Sequence, residues 1–211
     1  MIRTNHNSFF TPAFFAVLFL FAFASCKQDS GNQPTPEATT VLINDKSYPI
    51  TTIGNQIWTA ANYDGPGGLA YRSGNEKPEY GRYYTLDEAK AITVPAGWRL
   101  PTRQDYVTLA ESQGVIFTAN RAMIQEAIKR LTSTTNWRTI PGSNTSGFNA
   151  HPAGYSYQNS APMDGDISEF WTDEGTTFSI QESATGKAHN IMFYGNDSVG
   201  YRFTVRFVKD K

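Results

Sequence analysis

The chain has 211 residues, with 18 Lys+Arg against 19 Asp+Glu, three His and one cysteine. That near-neutral balance, with no basic run, excludes an electrostatic nucleic-acid groove, and a single cysteine excludes an intrachain disulfide or a cysteine zinc cage. An aromatic content of 14% beside a charged content of 18% indicates a β-rich, loop-rich globule, and the length suits one domain plus appendages.

The chain opens with an address. Met1 to Ser8 is polar with one positive charge, Arg3, and Phe9 to Ala24 is almost wholly apolar. At about 16 residues this run is short for a membrane span, which needs about 20, and it ends in small residues, as a secretory signal does. The only cysteine, Cys26, follows at once. Its placement resembles the bacterial lipobox, in which cleavage after residue 25 leaves a lipidated cysteine at the new N-terminus. Phe23 stands where an aliphatic residue is usual. The leader is similar to those of Bacteroidetes lipoproteins, which implies a cell-envelope, outer-membrane location, periplasmic or surface-facing, with Cys26 lipid as the membrane partner. Removing residues 1–25 lowers the basic count from 18 to 17 against 19 acids, too small an imbalance to bind an anionic surface. Residues 26–40, rich in Gln, Pro, Ser, Thr and Gly, read as a flexible tether spanning roughly 20 Å.

The domain is expected over residues 41–211. Val41 to Ile43, Lys46 to Ile53 and Gln56 to Ala61 read as three strands joined at Asn44-Asp45 and Gly54-Asn55, both two-residue hairpin signals. Asn62 to Tyr80 holds four Gly and two Pro and reads as loop. Thr85 to Glu88 matches a capping box opening a short helix. Gly97-Trp98-Arg99-Leu100-Pro101-Thr102 is a fixed corner: Gly97 permits the turn, Pro101 sets its own φ and extends Leu100, and Thr102 caps a helix from Arg103 with Asp105 in its first turn. Trp98 and Leu100 are expected to bury beside it.

Gly114 ends that helix. Asn120 is expected to cap another, with Ile124, Ala127, Ile128 and Leu131 on one face. Thr132 to Ser146 reads as loop. Phe148 to Tyr157, Ser168 to Asp173, Thr176 to Ser183 and His189 to Tyr194 read as short strands. Alternation over Tyr201 to Phe207 places Tyr201, Phe203, Val205 and Phe207 on one buried face.

Four blocks now stand in order: Thr52 to Trp58; Gly81 to Tyr84 with Asp87 to Lys90; Gly97 to Thr102; and Val205 to Asp210. With Phe148-Asn149-Ala150, Gly154-Tyr155 and Phe170-Trp171-Thr172 between the last two, the set resembles the Fibrobacter succinogenes major paralogous domain. The Arg-Leu-Pro-Thr corner and closing Val-Arg strand are also similar to formylglycine-generating-enzyme-type domains. The resemblance implies a C-type-lectin-like α+β fold: a twisted antiparallel sheet, two or three short helices and long irregular loops. Family members commonly carry cysteines where this chain has Val94 and Phe207, which suits a bridge replaced by apolar packing.

No nucleophile elbow, His-Glu-x-x-His or phosphate-cradling loop is present, and the lone cysteine lies in the lipobox. Asp164, Asp166, Glu169, Asp173 and Glu174 cluster in sequence, the raw material for a glycosidase-like pair. The balance favours a non-enzymatic module that binds glycan or protein, with a structural component of a surface complex as the alternative and a hydrolase behind both. Tyr155, Tyr157 and Trp171 are the candidate stacking platform. Asn196 and Asp197 resemble, in position and type, a lectin calcium segment and are the candidate calcium ligands; no other cofactor is expected.

Overall fold

A computed structural model describes residues 39–72, 76–195 and 199–211. The leader, Cys26, the tether as far as residue 38 and the Asn196–Asp197 pair lie outside the described residues, and Thr40, read as the end of the tether, already belongs to the first strand.

The first sheet starts as a meander. β1 (Thr40–Ile43) pairs with β2 (Lys46–Ile53), and β2 with β3 (Gln56–Thr59), all antiparallel. The turns follow from their residues: Asn44 and Asp45 both take positive φ, and Gly54 sits at φ +61°, as two-residue hairpins require. The following loop holds only β4 (Leu69–Ala70) and a 3-10 turn, Pro78–Tyr80, before β5 (Arg82–Tyr83) pairs back on β4. Both capping boxes form. Thr85 and Glu88 cap α1 (Leu86–Lys90), and Thr102 and Asp105 cap α2 (Arg103–Glu111).

The helix expected from Asn120 does not form. Arg121–Gln125 is a strand, β6, followed by a 3-10 turn over Glu126–Arg130. Ile128 and Leu131 are buried as expected, but residues 121–125 pair with a neighbouring strand instead of closing helical turns. Tertiary pairing overrides local propensity there. Of the stretch 148–157, only Ser156–Tyr157 is a strand, β7. β8 (Ile167–Trp171), β9 (Thr176–Glu182) and β10 (His189–Gly195) follow, and with β6 they form the second antiparallel sheet in the order β6-β10-β9-β8. β11 (Tyr201–Arg202) pairs with β7, and β12 (Val208–Asp210) completes the first sheet beside β3. With helix confined to two short α segments and two 3-10 turns, the described residues are mainly β, built from separate antiparallel sheets, rather than an even α+β mixture.

Residues 203–208 join the two sheets. Phe203 bridges to Tyr84, Thr204 to Phe170 of β8, and Val208 to both Arg99 and Trp58. Consequently all six residues from Phe203 to Val208 are buried, and the expected single buried face becomes two. Phe203, Val205 and Phe207 enter one apolar cluster with Tyr63, Tyr84 and Trp171, whereas Val208 enters another with Trp58, Tyr106 and Phe170. Val94, partly buried, packs against the same cluster as Phe207, so both positions are held by apolar packing, as expected. Trp98 and Leu100 are only half-buried, lying against that cluster's edge.

Candidate functional site

The motif residues form the scaffold. Asp105, held on the first turn of α2, accepts the Thr102 N–H and hydroxyl at 2.7 Å each, the Gln56 amide at 2.8 Å and both arms of the Arg99 guanidinium. Gln56 in turn accepts the Trp58 indole N–H at 3.2 Å, and Arg99 reaches Asp210 at 3.3 Å. Burial pushes the Asp105 carboxyl up, but the hydrogen bonds from Arg99 and Thr102 outweigh it and hold it below the usual carboxylate range. Two of the four blocks therefore meet on the Asp105 carboxylate, and Asp210 of a third joins them through Arg99.

Arg206 unites further segments. It is fully buried and donates to Asn62 Oδ1 at 2.5 Å and to the carbonyls of Thr59 at 2.7 Å, Phe148 at 2.8 Å and Asn149 at 3.0 Å. Its guanidinium lies 4.8 Å from the Phe148 ring centroid and 5.5 Å from that of Phe170. Burial pushes its pKa down to about 9, which leaves it charged at neutral pH. Both constellations are occupied by their own partners and leave no room for a ligand.

The concave surface lies elsewhere, over β8 and β9. A cleft of about 560 Å³ is lined by Arg138, Tyr155, Met163, Asp164, Asp166, Gln181 and Glu182. An adjoining inner lobe of about 310 Å³ shares Tyr155, Ile167 and Gln181 and adds Glu169, Tyr194, Tyr201 and Phe203. Alternation positions these side chains: Ile167 and Glu169 share a face of β8, and β8 pairs Ile167 opposite Gln181 on β9. Tyr155 comes from the preceding loop, aimed by Gly154 at φ +65°.

In the outer cleft the charges are already paired. Asp166 takes Arg138 at 2.6 Å, Asp164 takes Lys77 at 2.5 Å, and Glu182 accepts the backbone N–H groups of Thr139 at 2.8 Å and Ile140 at 2.7 Å. The acidic cluster read in the sequence is thus dispersed: Asp173 faces Lys90 at 3.9 Å, and Glu174 accepts the Arg103 N–H at the start of α2. Glu169 alone turns to the inner lobe. It is 5% exposed, and burial pushes its carboxyl up to about 7 against one opposing hydrogen bond, from the Thr177 hydroxyl at 2.7 Å.

Of the three candidate stacking residues, Tyr155 lines both lobes. Its ring lies 5.8 Å from that of Tyr201, which lies 4.7 Å from that of Tyr157 at the exposed margin. Trp171 is not part of this wall. It is 3% exposed, donates its indole N–H to Tyr84 O at 2.7 Å and packs edge-on to Phe203 at 4.6 Å, as a core residue. It shares its parity on β8 with Ile167 and Glu169, but Tyr84 and Phe203 cover it and take it into the core. The calcium pair Asn196–Asp197 lies outside the described residues, and among the described residues no group of three or more His, Cys, Asp or Glu could hold a metal ion. Gln181, Tyr194 and Arg138 carried no sequence signal as site residues. Tyr201 was legible only as part of an alternating strand.

No curated protein and no solved structure matches the chain. The sequence pattern of the Fibrobacter succinogenes major domain does match, over residues 51–209. That span takes in all four motif blocks, the Asp105 clasp, Arg206 and the cleft, and the chain belongs to the Fibrobacter succinogenes major domain family.

Proposed function

We propose that this protein is a lipid-anchored envelope lipoprotein whose domain is a non-enzymatic, C-type-lectin-like module that binds glycan through the cleft over β8 and β9. The observation that carries this reading is the cleft's lining, in which Tyr155 and Tyr201 stand beside Gln181 and Glu169, with the Tyr157 ring packed on Tyr201 outside the lining. Sugars present apolar ring faces and directional hydroxyls, and a wall of tyrosines beside amide and carboxyl groups complements both. Burial raises the Tyr155 phenol above its ordinary pKa, so it stays neutral and keeps its hydroxyl as donor and acceptor.

Binding is favoured over hydrolysis because Glu169 stands alone. Its pKa is raised by burial, with no neighbouring carboxylate contributing, whereas glycosidases set two carboxyl groups in concert. Of the acids nearest in sequence, Asp164, Asp166 and Asp173 each face a cation. Anchoring rests on the Cys26 lipobox, and calcium on Asn196 and Asp197.

The test is a glycan array with soluble protein starting at Lys27, run in calcium and again in chelator. Binding that Tyr155→Ala weakens supports the reading. Loss in chelator adds calcium to the site, and indifference to chelator removes it. Silence across a broad array overturns the glycan reading. Incorporation of labelled palmitate into the full chain, abolished by Cys26→Ala, tests the anchor.

A further inference from the structure

The inner lobe differs in chemistry from the outer cleft. Its carboxylate is buried and uncompensated: among the described residues Glu169 has no ion-pair partner, and its one hydrogen bond goes from Thr177 to Oε1. Among the described residues Oε2 has no hydrogen-bond partner, and it is not one of the buried polar atoms sealed without a partner, so it is open to the lobe. A buried charge left in this state is costly. Arg138 and Lys77 are committed to Asp166 and Asp164, and Arg202 pairs with Glu88. No residue lining the lobe carries a positive charge.

The other lining groups offer electron density as well. Gln181 spends its amide N–H groups on Ser179 Oγ at 3.0 Å and the Tyr194 hydroxyl at 3.1 Å, which leaves its carbonyl oxygen as acceptor. Tyr194 passes its own proton on to Met192 Sδ at 3.0 Å. Tyr155 and Tyr201 stand with ring centroids 5.8 Å apart, tilted by 50°, and Tyr201 stacks on Phe203 at 5.7 Å. Two ring faces, a carboxylate and an amide carbonyl around a cavity of about 310 Å³ match the requirements of an organic cation, whose charge is attracted by ring faces and paired by an acid.

We propose that the inner lobe is a seat for an ammonium group, held by Glu169 and the rings of Tyr155 and Tyr201, and that it selects glycans bearing cationic amines over neutral, N-acetylated ones. This specificity rests on the glycan reading above, whereas the ammonium seat itself does not. The carboxylate supplies the charge pairing, the tyrosines strip water from the cation, and the outer cleft receives the adjoining sugars.

The experiment uses the soluble protein from Lys27 at pH 8 and three probes: a glucosamine tetrasaccharide with permanently charged trimethylammonium groups, its N-acetyl counterpart, and choline. Calorimetry is expected to give at least tenfold tighter binding of the charged tetrasaccharide. Glu169→Gln, which keeps the shape and removes the charge, is expected to abolish that preference, with its folding verified by circular dichroism. Equal binding of the two tetrasaccharides, or a preference that survives Glu169→Gln, overturns the ammonium seat and leaves the glycan reading standing. Choline binding lost in Glu169→Gln, without binding of either tetrasaccharide, keeps the seat and overturns the glycan reading. Failure of all three probes to bind overturns both.

Discussion

The Arg206 guanidinium donates its Nε–H to the Asn62 side chain at 2.5 Å across 144 residues of chain. Its remaining donors satisfy carbonyls of Thr59, Phe148 and Asn149, so one side chain ties the end of β3 to the loop at residues 148–149 and pairs backbone acceptors buried there. Arg206→Met therefore strands several acceptors, and a loss of about 3–5 kcal/mol is expected in denaturant titration. Arg206→Lys is expected to recover only part of this, because an ammonium cannot reproduce the planar fork.

Asp105 and Thr102 act as a unit. Thr102→Ala alone is expected to cost about 1 kcal/mol through the lost cap. Asp105→Asn is expected to cost more, about 2–4 kcal/mol, because it leaves Arg99 and Gln56 without their shared acceptor. A double-mutant cycle is expected to show strong coupling, with Thr102→Ala nearly silent once Asp105 is replaced.

Gly154 permits the close approach that shapes the cleft. A Cβ there would lie 1.6 Å from Met163 O, and the residue sits at φ +65°. Gly154→Ala is expected to destabilise the fold by more than 2 kcal/mol and to displace the neighbouring Tyr155. The melting temperature and near-ultraviolet circular dichroism check both effects.

Trp171 and Tyr155 are expected to separate stability from binding. Trp171→Ala removes a buried indole and is expected to cost about 3–5 kcal/mol. Tyr155→Ala, at the partly open cleft wall, is expected to cost much less and to weaken glycan binding tenfold or more. If both variants lose binding only in proportion to folded protein, the cleft is not the site.

Stability should depend on pH through Glu169 and the buried histidines in opposite senses. The folded Glu169 carboxyl is raised to about 7 from 4.5, so its contribution is fully present below pH 4.5 and is lost as pH rises through 7. Glu169→Gln is accordingly expected to gain up to about 3 kcal/mol over the parent above pH 7 and little at pH 4. Burial lowers His151 and His189 to about 4 from 6.5. Their contribution is present above pH 6.5 and lost as pH falls through 4. His189 has no hydrogen bond on either ring nitrogen and packs edge-on to Trp137 at 4.5 Å. His189→Leu is expected to flatten the acid limb of a pH–stability curve.

Much of the local structure was legible before any coordinates. Asn44-Asp45, Gly54-Asn55, Thr85 to Glu88 and Thr102 with Asp105 each carry their own conformational chemistry, and each formed where read. Residues 121–125 were misread because their apolar spacing suits a helix as well as a strand, and the decision belonged to β10. The cleft was half legible. Tyr155 and Glu169 were singled out, but Trp171, read as a stacking residue, is covered by Tyr84 and Phe203, which come from distant segments. Gln181, Tyr194 and Arg138 come from segments whose proximity is set only by sheet register.

The sequence by itself determined the turns, the helix caps and the family, because these depend on residues close together in the chain or on ordered blocks. Tertiary structure alone decided that residues 203–208 are buried on both faces, that Arg206 has no acidic partner among the described residues, and that Glu169 faces a cavity while Asp164 and Asp166 are paired with cations. Each of those facts depends on which distant side chains share a volume from which water is excluded. Burial, and the pKa and hydrogen-bond demands that follow from it, arise only when the two sheets close on the segment between them.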